Sequence, residues 1–289
     1  MNKICVLVNV KDRPTEITLL LQSLRTQTIQ DFDVFIFDDM SGTPLSNYHF
    51  FNCMITRLKM ESHKIYLKNS GFLHGVSRAR QAIVDWAMET GDYDYFLRVD
   101  DDVILEPDYI ERMLKVIEGG YDIASGVTVA MAQPFFKRDP VHLKGIINRV
   151  VLNDDGSYFW NGDDCGMEYI DSVILPAHHF RSCALIKKEV HKKIKYYPTK
   201  LSMNGFREEQ IFSYKALMEG FKIGVDTGAK NYHLVCPSGG ERDTMNMIPF
   251  NQKILEEFTK ENKDKLNKLF PKEPLITELE RMKEVNMAR

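Results

Sequence analysis

Cysteine is scarce in this sequence, and the five present, Cys5, Cys53, Cys165, Cys183 and Cys236, are odd in number, widely spaced and without a CxxC pair. That leaves no disulfide framework and no thiolate metal rhythm, so reduced thiols in a cytoplasmic protein are expected. Long apolar runs are also missing. None approaches the roughly 18 residues of a membrane-spanning helix, and the short run from Met1 to Val10 ends at Asp12, Arg13 and Pro14, unlike a secretory signal. Nor does charge of one sign prevail: 38 basic and 41 acidic residues leave a formal charge of −3. Without a basic surplus, nucleic acid is not an expected partner, and any nucleotide is expected as a small ligand. Glycine and proline are dispersed, and no internal repeat is found, which sets aside disordered, collagen-like and solenoid classes.

What is present is alternation. Lys3–Val10 reads as a strand buried on both faces. Pro14 then opens a helix whose inner face is expected to carry Leu19, Leu20, Leu21 and Leu24. Further strands are expected at 32–37, 64–67, 95–99, 122–129, 182–186 and 222–225, with helices at 75–86, 107–118 and 207–219. Short strands alternating with helical stretches predict an α/β domain built on a mixed, mostly parallel sheet flanked by helices. Residues 131–178 change character, to aromatics and turns, and read as an inserted hairpin region. Beyond Ile248 the chain is amphipathic and lysine-rich. Those residues read as a pair of surface helices, with a peripheral membrane contact as the sharper alternative. The expected organisation is a nucleotide-binding half over 1–130, an acceptor-binding and catalytic half over 131–247, and a helical extension over 248–289.

Chemistry concentrates where the strand at 95–99 runs into Asp100, Asp101 and Asp102. Carboxylates two residues apart at the carboxyl edge of an α/β sheet can approach one hard cation and leave coordination sites for phosphate and water. The plainer alternative, that they cap a turn, needs only one of the three. Glu208 and Glu209 open a helix, where they either complement its dipole or supply a general base. His178 and His179 are neighbours on an extended stretch and point to opposite faces, so they would not chelate one ion. Tyr158, Phe159 and Trp160 are either core or a platform for a sugar ring.

The run DRPTEITLLLQSLRTQT, the strand end VFIFDDMSG, then Asn69–Gly71, Gly75–Arg80, VDDDVILEPDYI and REEQIFSYKALMEGFKIGVDTGAKNYHL together resemble the family 2 glycosyltransferases, in that family's order. The resemblance implies a GT-A fold, Rossmann-like, and transfer of a sugar from a nucleoside-diphosphate donor, UDP- or GDP-linked, with inversion. It implies Mn2+ or Mg2+ as cofactor and a glycan, lipid-linked or protein acceptor. Carried over residue by residue, Asp39 would bind the nucleoside and Arg80 would lie near the nucleotide. Asp100 and Asp102, with Asp101 between them, would form the DxD motif, and His233 would complete the metal site. Glu209 would be the catalytic base, with Glu208 beside it where the family pattern reads Glu-Asp. Asp12 stands where the family carries Asn, and Gln81 where Asn commonly follows the arginine. The Gly-rich stretch Pro237–Asp243 could close over the diphosphate with Arg242 as its cation. Two other readings stay open. A sugar-1-phosphate nucleotidyltransferase would carry a glycine-rich loop after the first strand, whereas KDRP has none. A catalytically silent carbohydrate-binding relative would not need every carboxylate that is present.

Overall fold

In the computed structural model of the chain, residues 3–131, 150–152, 155, 158–160, 172–236, 239–240 and 247–270 are described. Strand β1 (Ile4–Val10) is apolar at nearly every position and is buried throughout except at Asn9, as a central strand covered on both faces must be. Helix α1 (Pro14–Arg25) follows, with Pro14 in its first turn, and buries Ile17, Leu20, Leu21 and Leu24. Leu19, expected on that inner face, is 44% exposed. The i, i+3, i+4, i+7 stripe set by Ile17 passes it by.

The remaining strands are β2 (Phe32–Asp38), β3 (Ile65–Asn69), β4 (Tyr95–Asp100), β5 (Val103–Leu105), β6 (Ile123–Ala130), β7 (Val150–Leu152), β8 (Tyr158–Trp160), β9 (Ile174–Pro176), β10 (Cys183–Lys187) and β11 (Ile223–His233). Nine of them form one sheet in the order β3-β2-β1-β4-β10-β6-β11-β5, with β9 also on β11. Pairings β1–β2, β1–β4, β2–β3 and β6–β11 are parallel, and β10 runs against both β4 and β6. Most strands therefore share one direction, and β5, β9 and β10 oppose it, giving the expected mixed, mostly parallel sheet. Strand β11 outruns the expected end at Val225 because a register irregularity between Val225 and Lys230 lets a polar-looking second half rejoin the ladder.

Helices α2 (His49–Met60) and α4 (Tyr109–Glu118) join α1 on one face of the sheet. Helix α3 (Val76–Thr90), the short α5 (Lys188–Lys193) and α6 (Glu208–Met218) cover the other. Helix α2 escapes sequence periodicity because only Phe51 and Leu58 are buried along it, too thin a stripe to register. In the inserted region β7 and β8 pair as an antiparallel hairpin. Of Tyr158, Phe159 and Trp160 only the strand backbone is described, so the side-chain roles considered for them lie outside it.

The C-terminal helices α7 (Ile248–Glu261) and α8 (Lys263–Leu269) spend their apolar stripe on the protein itself. Leu255, Leu266 and Phe270 cluster with Ile211, Tyr214 and Val150, and the His178 ring stacks on Phe270 at 3.9 Å. His178 and His179 are both buried, and His178 Nδ1 accepts the Val150 N–H at 3.0 Å, so it serves this packing. Among the described residues no helix is long and apolar enough to cross a membrane.

Candidate functional site

Parallel pairing brings the carboxyl ends of β1, β2, β3 and β4 into one row, with Val10 beside Asp38, Asn9 beside Asp100 and Asp38 beside Asn69. The chain must turn at each end, and the turns carry the polar groups. Asp12, standing where the family carries Asn, takes a left-handed conformation (φ 54°) and its carboxylate accepts the Gly42 N–H at 2.7 Å. Asp and Asn both tolerate that conformation, so the exchange is conformationally neutral. Above this row opens a pocket of about 370 Å³ lined by Asp39, Arg80, Asp100, Asp101, Asp102, Glu208, Glu209 and His233, among others. The structure thus gathers the sequence-expected residues at one edge, save Arg242, which lies outside the described residues.

The three aspartates separate into two groups. Asp100 is the last residue of β4 and lies on the same side of the strand as Arg98, two residues earlier. Its carboxylate pairs with Arg80 and, at 3.4 Å, with Arg98. Burial pushes this carboxyl up, but the two guanidiniums outweigh it and hold it at about 2. Asp101 and Asp102 lie past the strand and meet Arg13, whose Nη1 is 2.8 Å from Asp101 and 3.0 Å from Asp102. Burial and the neighbouring carboxylates prevail at Asp101, raising it to about 7 against the pull of Arg13.

The antiparallel pairing of Val103 with His233 then sets the histidine beside Asp102, with Nε2 3.3 Å from Oδ1. Two ligands at about 2.1 Å from one hard cation and at right angles to it lie about 3 Å apart. Asp102 and His233 therefore fit as neighbouring corners of a divalent-metal site. Asp100, expected to share that ion, instead turns toward Arg80 and Arg98. Among the described residues no group of three His, Cys, Asp or Glu side chains is placed to hold a metal, so phosphate oxygens and water would have to complete the shell.

Glu208 and Glu209 begin α6 and diverge by one helical step. Glu208 is buried, 2.8 Å from Arg80 Nε and 2.8 Å from Arg98 Nη2, and burial pushes it up to about 7 in spite of both cations. Glu209 is partly exposed to the pocket and accepts a hydrogen bond from Arg98 at 3.0 Å. Asp39 receives the backbone N–H groups of His74 and Gly75, each at 2.9 Å, and lies 2.8 Å from His74 Nδ1. It thereby fixes the entry to α3 while its edge faces the pocket. Arg80 lines the pocket as well, but its guanidinium is committed to Asp100 and Glu208.

Sequence reasoning gave no site role to Arg98 or Arg13. The signal for Arg98 was an arginine inside the apolar strand YFLRV, an inward charge that only a buried counter-charge can justify. Arg13 sits against Gly239 and Gly240, where a Cβ would come within 2.6 Å and 3.0 Å of its side chain. Those glycines of the Pro237–Asp243 stretch are therefore explained by close approach to Arg13.

Three crystal structures of S. aureus TarS share the fold. One structure of TarS superposes with a TM-score of 0.53 at 16% identity, over 81% of this chain and 37% of that one. Residues 1–349 in complex with UDP-GlcNAc give 0.54 at 16% identity, over 82% of this chain and 59% of that one. The same fragment in complex with UDP gives 0.51 at 16% identity, over 81% and 61%. This chain thus spans less than two thirds of the length of each, and at this identity the likeness establishes the GT-A architecture. No curated protein sequence matches the chain significantly. The family model described as glycosyl transferase family 2 matches residues 5–195, a stretch that includes β1, the turn at Asp39, Arg80 and the three aspartates and stops short of Glu208, Glu209 and His233. With well over half of its length matched, the chain belongs to glycosyl transferase family 2.

Proposed function

We propose that this glycosyltransferase moves a sugar from a nucleoside-diphosphate donor to an acceptor hydroxyl with inversion, and that donor binding requires Mn2+ or Mg2+. The observation that carries the metal requirement is the pocket's charge. Six carboxylates, Asp39, Asp100, Asp101, Asp102, Glu208 and Glu209, face it, with burial pushing Asp101 and Glu208 up to about 7, against Lys11, Arg13 and Arg80 in the lining and Arg98 behind Asp100, Glu208 and Glu209. Arg13 and Arg80 are already paired. A diphosphate entering such a site needs added positive charge. Asp102 and His233 would hold the ion, which supplies neutralisation of the diphosphate as it departs.

In this reading Asp39 recognises the nucleoside, and UDP is the favoured nucleotide because TarS was crystallised with UDP and UDP-GlcNAc. Glu209 accepts the proton of the acceptor hydroxyl, and that oxygen bonds to the anomeric carbon. The bond from this carbon to the diphosphate oxygen breaks, and the nucleoside diphosphate leaves with the electron pair. Arg98, 3.0 Å away, keeps Glu209 oriented. Arg242 would add a cation over the diphosphate. The acceptor is a glycan, a lipid-linked sugar or a protein. Family membership displaces the nucleotidyltransferase alternative, and the intact carboxylates argue against a silent binding protein.

Calorimetry with UDP and with GDP, in EDTA and in Mn2+, tests the metal requirement. Binding is expected only with Mn2+, and Asp102→Ala should weaken it more than Asp101→Ala. Equal affinity with and without metal would overturn the requirement. The anomeric configuration of the product, read by NMR, tests inversion.

A further inference from the structure

One wall of the pocket comes from a stretch with no strand or helix of its own. Asn204, Gly205 and Phe206 line it, and the chain then runs directly into Glu208 and Glu209. Such a segment keeps one conformation only if partners hold it, and here two elements do. On one side the Met203 carbonyl accepts the Val76 N–H at 2.8 Å, where α3 begins. The contact is tight: a Cβ on Gly75 would lie 2.8 Å from the Met203 carbonyl oxygen, and one on Gly205 would lie 2.6 Å from Val76.

On the other side stands Asn251 of α7, completely buried. Its Oδ1 accepts the Ser202 N–H at 2.8 Å, and its Nδ2 donates to Ser202 Oγ at 2.8 Å and Asn204 Oδ1 at 2.6 Å. Asn204 Oδ1 also accepts the Phe206 N–H at 3.1 Å, which carries the restraint across the wall. One residue along, Gln252 accepts a hydrogen bond from Arg207 Nε at 2.8 Å. Arg207 has φ of 80°, a left-handed conformation that a residue with a side chain holds only when its surroundings impose it. A buried amide engaged at both ends specifies a single geometry.

We infer that Asn251 is a positioning residue for the reaction: through the Ser202–Arg207 wall it sets where Glu209 stands in the pocket. The C-terminal helix that carries it then belongs to the catalytic machinery, although it lies beyond the family match, which ends at residue 195. The inference rests on the reading of Glu209 as the base.

The test compares Asn251→Ala, Asn204→Ala and the double variant in the full chain. Amide exchange reads the wall directly. In Asn251→Ala the amides of Ser202, Phe206 and Glu208 should exchange roughly tenfold faster or more, while β1 and α1 keep wild-type protection. Diphosphate release from a panel of UDP- and GDP-sugars reads the consequence. With the donor that wild type turns over, kcat should fall on the order of 10- to 10²-fold while KM for that donor stays within about twofold. The double variant should be no worse than Asn251→Ala, because both act through one network. Unchanged exchange at 202–208 in folded Asn251→Ala overturns the inference, as does exchange raised throughout with kcat per folded molecule intact. If Asn251→Ala does not fold, Asn204→Ala carries the same test, and unaltered exchange at Phe206 overturns it. Glu209→Gln separates the two readings. Full turnover there removes Glu209 as the base, whereas a wall that Asn251→Ala leaves rigid removes only the role of Asn251.

Discussion

Glu208 and Glu209 share a residue type and a helix end, yet their surroundings differ. Glu208 is enclosed between Arg80 and Arg98, and Glu209 leans into the pocket with one arginine at its back. A base contributes in the transition state and little to donor affinity, so Glu209→Gln should bind the metal–nucleotide complex as wild type does. Transfer should fall roughly 10²- to 10⁴-fold. Glu208→Gln keeps the shape of a side chain that burial already drives toward its neutral form, so it should fold and lose far less. Calorimetry and a transfer assay on the two variants decide between them, and an inactive Glu208→Gln beside an active Glu209→Gln would exchange their roles. Sequence alone could name both carboxylates but not rank them by environment, since their partners Arg80 and Arg98 come from α3 and β4.

At the scale of elements, strands were more legible than the segments that join them. Strands β1, β2, β4, β6 and β10 are apolar runs bounded by turn residues, and burial on both faces makes such runs visible without a partner. Helix α2 and the second half of β11 were not visible. The first buries two side chains, and the second is held by β5 and β6 rather than by its own composition. The Ser202–Arg207 wall has no pattern at all, yet its backbone is tightly specified. Gly205, at φ 62°, has no room for a Cβ beside Val76. Gly205→Ala should therefore cost about 1–3 kcal/mol from strain at a left-handed position, before any clash, and should lower the melting temperature by several degrees. Transfer should fall with it, because the same wall leads into Glu209. Thermal denaturation with a parallel activity assay checks this, and an unchanged melting temperature would mean that the wall is free to shift.

For the molecule as a whole, burying so many charges at one sheet edge links stability to pH. Asp101 and Glu208 have ordinary values of 3.8 and 4.5 when unfolded and about 7 in the fold, raised chiefly by burial. Between those limits the folded protein retains protons that the unfolded chain has released, so stability should decline as pH rises from about 4 to 7 and level off above. Asp100 acts in the opposite sense. Held at about 2 against an ordinary 3.8, it contributes stability that is lost only as pH falls through that lower range. Melting temperatures in EDTA from pH 4.5 to 8 should show the decline, and the combined Asp101→Asn and Glu208→Gln variant should flatten it. Equal slopes in the two proteins would mean that these groups are not the source.

The fold class, the family and the sheet edge at which the acidic run lies are legible in the chain itself, because those are written locally. Apolar alternation makes the strands, and an acidic run at a strand end lies at the edge where α/β sheets bind ligands. The sequence also named most of the charged residues that line the pocket. Which partners each of them meets came only from the folded chain, because direction and environment come from distant residues. Arg13 claims Asp101 across 88 positions and Arg98 meets Glu209 across 111. The pairing of Val103 with His233, set by strand register, turns Asp102 toward the histidine while Asp100 faces two arginines. The DxD spacing alone brings both carboxylates to one sheet edge. Packing gives them different partners, because a carboxylate enclosed beside two guanidiniums is held there by charge that no local pattern records.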